Sequence, residues 1–380
     1  MAKIDELLQE LCPDGVDYVK IQEVCVRQKG MNITAQRMCE LDNPNGQIKI
    51  FAAGSTVAMF NEADVPSQCI IRKPSIIVKS RGNIGFEYCI VPFSHKNEMW
   101  SYSAIDNKID LKYLYHLLLS KTDLFQFIAR SNAVKLPQLC VKDTDCYEIP
   151  LPPLPIQHYI VEALDTFTDA ISNLEEELAL REKQFEYYRE QLLSFDDETS
   201  LGKQISKASV SYFQLGKISN LKRGIRVVKK DLNESDSYPV FQNSLTPLGY
   251  FHSTNVPQNS TFIIMAGAAG EVGFTTIPCW AADDCFYLET SEILTNKYVY
   301  YFLIKSQHYL KSKVRKASIP RLSRDVIEKM EIPVPSLQRQ QEIVEILDTF
   351  EAMIANIKEE IALRTKQYEY YREKLLSFGK

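Results

Sequence analysis

At 380 residues the chain exceeds what one ordinary core organises and divides into two or more domains. Its 45% hydrophobic and 24% charged residues exclude wholesale disorder and a fibrous class. The net charge of −5 argues against a uniformly basic nucleic-acid binder, but residues 151–201 carry −9 while residues 202–331 carry +6.

The opening MAKIDELLQE has acids where a secretory leader has basic and then apolar residues. No window approaches the length of apolar sequence that spans a bilayer, so a cytoplasmic protein without membrane association is expected. The nine cysteines form no CxxC, the closest pairs being Cys140/Cys146 and Cys279/Cys285, and the five histidines (His95, His116, His158, His252, His308) do not join them at ligand spacing. Reduced, mostly buried thiols and no metal are expected. There is no phosphate-binding GxxxxGK[ST], and the Pro-Pro of IPLPPLP lacks both the preceding acid or Asn and the following aromatic of an adenine methyltransferase motif. A catalytic centre and a cofactor are therefore not expected.

In chain order, residues 1–150 alternate short Val, Ile, Phe and Tyr runs with Gly, Asn and Pro signals, which predicts a strand-dominated α+β domain with a supporting helix at 111–120. Polar and basic residues near its Gly-rich turns are candidate DNA contacts, because there backbone approaches phosphate and side chains reach base edges. They are Lys29, Asn32, Thr34, Ser55, Lys79, Arg81, Asn83, Arg130, Asn132 and Lys135. Each is also readable as an ordinary solvated side chain.

The proline-rich IPLPPLP at 149–155 ends this domain in an extended segment and opens a helical spacer at 151–198. Apolar residues then recur at Ile160, Leu164, Phe167, Ile171, Leu174 and Leu178, and after a break filled by Arg181 at Phe185, Tyr188, Leu192 and Phe195, a heptad seam. Residues 199–333 read as a second domain of the same type with a helix near 297–306. Its candidate contacts are Lys222, Arg223, Arg226, Lys229 and Lys230, then Gln242, Asn243 and Ser244, and finally Lys311, Lys313, Arg315, Lys316 and Arg321. The clusters KRGIRVVKK and KSKVRKASIPR are the strongest, because like charge bracketing apolar residues calls for a counter-charge. A second spacer at 334–380 repeats the seam at Ile343, Leu347, Phe350, Ile354, Ile357, Ile361, Arg364, Tyr368, Tyr371, Leu375 and Phe378.

The spacers are copies: residues 151–195 align with 334–378 at an offset of 183 without a gap, and 28 of 45 positions are identical. The duplication continues outside them, where EVCVRQKGMNIT resembles KISNLKRGIRVV, and DLKYLYHLLLS resembles TNKYVYYFLIKS. Two seams of equal length most simply cover each other, since each alone exposes an apolar stripe. Either direction is sterically open; antiparallel pairing is favoured because it gives the chain a pseudo-two-fold axis. A helix of roughly 38 residues is about 55–60 Å long. Arg181 and Arg364 hold the same seam position, either as a registry device paired with Glu177 and Glu360 or with stems across the seam and charges in water. Glu175, Glu176 and Glu177 are unsuited to phosphate and suggest that the outer faces of the helices dock partner protein.

Variable domain, constant helix, variable domain, constant helix, with RGIRVVKKDL at 223–232, GxxG-containing strand turns and LPP-type helix lead-ins, resembles the specificity subunit of type I restriction-modification systems over essentially the whole chain. The resemblance implies a non-catalytic subunit. In it each target recognition domain reads one half of a split double-stranded DNA sequence, the helices set the gap, and methyltransferase subunits, expected as two, join with endonuclease/translocase subunits. The residues alone also accommodate a second reading, a coiled-coil scaffold whose two domains bind proteins or small ligands. Salt-dependent, sequence-dependent affinity for duplex DNA separates the two.

Overall fold

The computed structural model describes residues 2–54, 56–132, 135–195, 200–205 and 210–378, without the side chains of Ala2, Lys203 and Ile205. The chain forms two compact units, Met1–Leu174 with Glu360–Lys380, and Glu175–Glu359. The division falls inside both long helices, Leu154–Leu192 of 39 residues and Leu337–Leu376 of 40 residues, so each unit combines one globular domain with half of each helix. Each helix is about 60 Å long at 1.5 Å per residue.

In the first unit a four-stranded antiparallel sheet runs in the order Cys25–Lys29, Trp100–Ala104, Ser75–Lys79, Gly85–Cys89. A three-stranded sheet places Ile48–Phe51 between antiparallel Val57–Phe60 and parallel Phe93–His95. The second unit repeats both sheets: Ser219–Arg223, Cys285–Thr290, Ser260–Ile264, Val272–Thr275, and Tyr238–Phe241 between antiparallel Gly249–Phe251 and parallel Trp280–Ala281. One inner strand of each larger sheet, Ser75–Lys79 and Ser260–Ile264, is buried almost throughout because both its faces are covered. Ile76 and Val78 join the core beneath the helix Leu111–Ser120, while Ile77 points to the other side, against Phe51 and Phe93.

The proline-rich segments, expected as extended stops, begin as strands: Glu148–Pro150 pairs with Tyr18–Lys20 and Glu331–Val334 with Ser211–Gln214. In two-stranded ribbons a proline can turn its missing N–H outward. The helix that follows is tied to its domain by a fully buried glutamine. Gln157 donates to the carbonyls of Lys108 (3.0 Å) and Pro152 (2.7 Å) and accepts from the Asp110 N–H (2.7 Å). Gln340, 183 positions on, donates to Ile293 (2.8 Å) and Pro335 (3.0 Å) and accepts from Thr295 (2.9 Å). Buried Tyr113 and Tyr298 repeat the device, donating to the Pro150 and Pro333 carbonyls at 3.0 and 2.8 Å.

Within each unit the helix halves run antiparallel. In the first, Phe167 stacks on Tyr371 at 5.2 Å, and Ile160, Leu164, Tyr368 and Leu375 share one core. In the second, Tyr188 stacks on Phe350 at 5.2 Å while Glu182 pairs with Lys358 at 2.8 Å. Burial is graded along the seam. Ile160, Leu164, Leu192, Ile343, Leu347, Tyr368 and Leu375 are buried, whereas Phe167, Ile171, Leu174, Leu178, Phe185, Tyr188, Phe350, Ile354, Ile357 and Ile361 are half-buried. Tyr371 is exposed at its edge although its ring stacks. Two helices alone cannot enclose a seam; only where a globular domain adds a third wall is it dry. Arg181 donates to Glu177 and Gln184, and Arg364 to Glu360 and Gln367, all on their own helix, so these acids brace each arginine along its helix.

Of the cysteines, Cys25, Cys89, Cys279 and Cys285 are buried, with burial pushing the Cys25 thiol up to about 12, while Cys39, Cys140 and Cys146 are exposed. Among the described residues no helix is long and apolar enough to cross a membrane, and no cluster of potential metal ligands occurs.

Candidate nucleic-acid interface

One loop frame appears in both units, and it gathers several of the candidate residues. In the second unit Gly267 follows the central strand with φ +84°, a conformation L side chains rarely adopt. Its N–H donates to Pro320 (3.1 Å), the Ala268 N–H donates to Asn243 (2.9 Å), and the Leu322 N–H donates to Met265 (2.9 Å). The lead-in to the second spacer helix is thus stitched to the strand exit by an Ala266–Arg321 bridge. In the first unit Gly82, with φ +74°, donates to Pro137 (2.9 Å), Leu139 donates to Ser80 (2.9 Å), and Arg81 bridges Gln138. The bridge and its two flanking hydrogen bonds are shared, the bond to Asn243 being added in the second unit, yet the guanidinium comes from opposite sides of the bridge: Arg81 from the strand exit, Arg321 from the helix lead-in.

Around the second frame Arg223 donates to the Asp283 carbonyl (3.0 Å), Arg321 lies 4.0 Å from Asp284, and Lys311 lies 3.8 Å from Glu271. Asn243 is exposed beside Gly267, Gln242 is half-buried, and Ser244 donates to Thr246 (3.0 Å). Arg226, Lys229 and Lys230 are exposed on the neighbouring loop with no ion pair among the described residues. Lys222 pairs with Glu289 (3.4 Å), Lys313 lies over the Tyr309 ring, and Arg315 and Lys316 are exposed just before Arg321.

In the first unit Arg81 donates twice to Gln138 (3.2 and 3.1 Å), and Lys79 is ion-paired with Glu87 (2.8 Å). Thr34 caps the helix Ala35–Leu41 by accepting from the Arg37 N–H (3.2 Å), and Asn132 donates to Asp143 (2.9 Å). Lys29, Asn32, Asn83, Arg130 and Lys135 are exposed, and Ser55 lies outside the described residues. Both domains therefore hold some of their candidates in internal contacts and leave the others exposed.

Sequence reasoning missed Gln138, Asp283 and Asp284 beside the frames, and a buried network behind the first domain. His116 donates through Nε2 to Asp165 (3.0 Å) and accepts at Nδ1 from the Tyr368 hydroxyl (3.1 Å), while Lys112 reaches the second Asp165 oxygen. Burial lowers the His116 pKa and outweighs Asp165, so the ring is neutral, a state both hydrogen bonds satisfy. The second unit puts Tyr301 in its place, donating to Asp348. On the long helices Glu175, Glu176 and Glu177 are exposed. The equivalent pairs Leu180 and Leu363, and Tyr187 and Tyr370, expose 61, 49, 59 and 52% of their surfaces.

Fold and site together define a duplicated recognition protein: two copies of one α+β scaffold, each presenting a glycine-pinned loop frame with diverged polar residues. The family model for the type I restriction modification DNA specificity domain matches residues 13–181 and again 208–363, so the chain belongs to the type I restriction-modification specificity family. It is accordingly a recognition component and not the catalyst of its system. It is 30% identical over 311 residues to the specificity subunit of the type I restriction enzyme EcoR124I/EcoR124II of Escherichia coli, covering 73% of each chain. The fold is that of the type I restriction-modification S subunit from M. genitalium, at a TM-score of 0.72 and 20% identity over 96% of this chain and 97% of that one. A chain from a structure concerned with assembly and conformational transition of the type I R-M system matches at 0.55 and 16% identity, covering 96% and 98%.

Proposed function

We propose that the chain recognises a bipartite double-stranded DNA target, residues 1–150 reading one half-site and residues 199–333 the other, with the helical segments 151–198 and 334–380 setting the gap. The observation that carries this reading is the duplicated frame. The shared pair of backbone hydrogen bonds around Gly82 and Gly267 holds unlike side chains, which is what two readers of unlike sequences on one scaffold require. Backbone geometry repeats where the task repeats, and side chains diverge where the bases differ. Arg81, Arg321, Arg223, Asn243 and the exposed Arg226, Lys229 and Lys230 are the candidate contacts, with the remaining exposed basic residues positioning phosphate.

The exposed Leu180/Leu363 and Tyr187/Tyr370 pairs support docking of methyltransferase subunits, and their duplication supports two of them. Endonuclease/translocase subunits join through that complex, and the chain itself carries no cofactor. The test is salt-titrated binding of duplex DNA by the chain combined with its methyltransferase subunit. A steep fall of affinity with salt together with a preference of at least ~10³-fold for one sequence is expected. Sequence-indifferent binding overturns the reading.

A further inference from the structure

The duplication offers an internal comparison at the residue after the glycine that ends the first strand of each four-stranded sheet. A Cβ on Gly30 would lie 1.9 Å from the His95 carbonyl oxygen, and one on Gly224 would lie 2.2 Å from that of Ala282, so both positions admit only glycine. The next residue is held by the same hydrogen bond in each unit: the Met31 N–H donates to His95 (2.8 Å) and the Ile225 N–H to Ala281 (2.9 Å). Two residues on, Ile33 and Val227 are both buried. The side chains between have opposite fates. Met31 is 7% exposed, packed with Met38 of the helix Ala35–Leu41; Ile225 is 57% exposed, because the second unit has only the single turn Lys229–Asp231 there.

Nothing about Ile225 is loose. Its carbonyl accepts from the Trp280 indole N–H (2.8 Å), so the backbone is pinned on both sides while the side chain points out. A rigidly presented aliphatic group costs hydration and adds nothing to the core. The same loop carries Arg226, Lys229 and Lys230, exposed and without ion pairs among the described residues, with Asp231 as its one acid. An exposed aliphatic group on a cation-rich loop matches a surface that is polyanionic overall and apolar at one point, and on a DNA base edge that point is the 5-methyl group of thymine.

We propose that Ile225 is a specificity-determining residue that contacts a thymine methyl in the half-site read by the second domain. The inference rests on the DNA-reading function above. Once the target is known from mapping of modified bases, each dT of both half-sites is replaced in turn by dU, which removes only the methyl, and binding is measured for the complex with methyltransferase subunits. The native complex is expected to lose about fourfold in affinity at one dT, the value of one buried methyl. Ile225→Ala should bind dT and dU there equally, and Ile225→Leu should retain the discrimination, with unchanged melting temperatures. Specific binding in which no dT→dU change couples to Ile225, or a second half-site lacking dT, overturns the inference and leaves the DNA-reading function standing. Absence of any sequence preference overturns both.

Discussion

Substituting alanine at the two equivalent pinned glycines should damage the two halves of the protein unequally. Both have positive φ, +84° at Gly267 and +74° at Gly82, which costs an L side chain about 1–2 kcal/mol. A Cβ at Gly82 meets nothing within 4 Å, so that is the whole cost there. At Gly267 it would lie 2.8 Å from both the Cβ and the carbonyl oxygen of Asn243, and pushing that loop away adds about 1–3 kcal/mol. Gly267→Ala should therefore cost about 2–5 kcal/mol and displace Asn243, whereas Gly82→Ala should cost about 1–2 kcal/mol. Hydrogen exchange of peptides spanning each glycine reads the stability difference, and methylation assays on duplexes altered in one half-site read its consequence. Loss confined to the second half-site for Gly267→Ala is expected. Equal damage at both positions, or greater damage from Gly82→Ala, would refute the account of the frame.

Arg81→Ala and Arg321→Ala should each weaken DNA binding and relax preference at one base pair in different half-sites; an unchanged preference for both would remove them from the interface. Gln340→Ala orphans two carbonyls and one N–H at a fully buried position and should lower stability by about 2–4 kcal/mol in urea denaturation, with Gln157→Ala behaving alike. His116 has a folded pKa below its unfolded value near 6.5, so below that pH the unfolded chain takes up the proton first. Its contribution is complete above ~6.5 and is lost as pH falls towards the folded pKa, so acid should destabilise the first unit and His116→Gln should flatten that slope in pH-dependent melts. A steeper slope in the variant would reverse the assignment.

The helices were legible because a heptad seam and a gapless repeat are local signals, and the α+β domains because their apolar runs have strand length and turn punctuation. The gradation of the seam was not. Tyr371 reads like every other seam position, and only the absence of a third wall beside it leaves its edge in water. Gln157 and Gln340 look like polar residues of a helix's first turn, while their partners lie up to 49 residues away in the chain. The site was legible as glycine-rich turns bearing cations, but the equivalence of Arg81 and Arg321 was hidden because they belong to different members of a long-range bridge. Lys79 and Thr34 carry the right chemistry for a contact, and the structure gives them an internal ion pair and a helix cap.

The central claim is that two unlike readers are mounted on one repeated scaffold, and mapping modified bases in DNA methylated by the reconstituted complex tests it most directly. The account predicts two half-sites of different sequence separated by a constant number of unread base pairs. A single continuous site, two identical half-sites, or a gap that varies freely would contradict it.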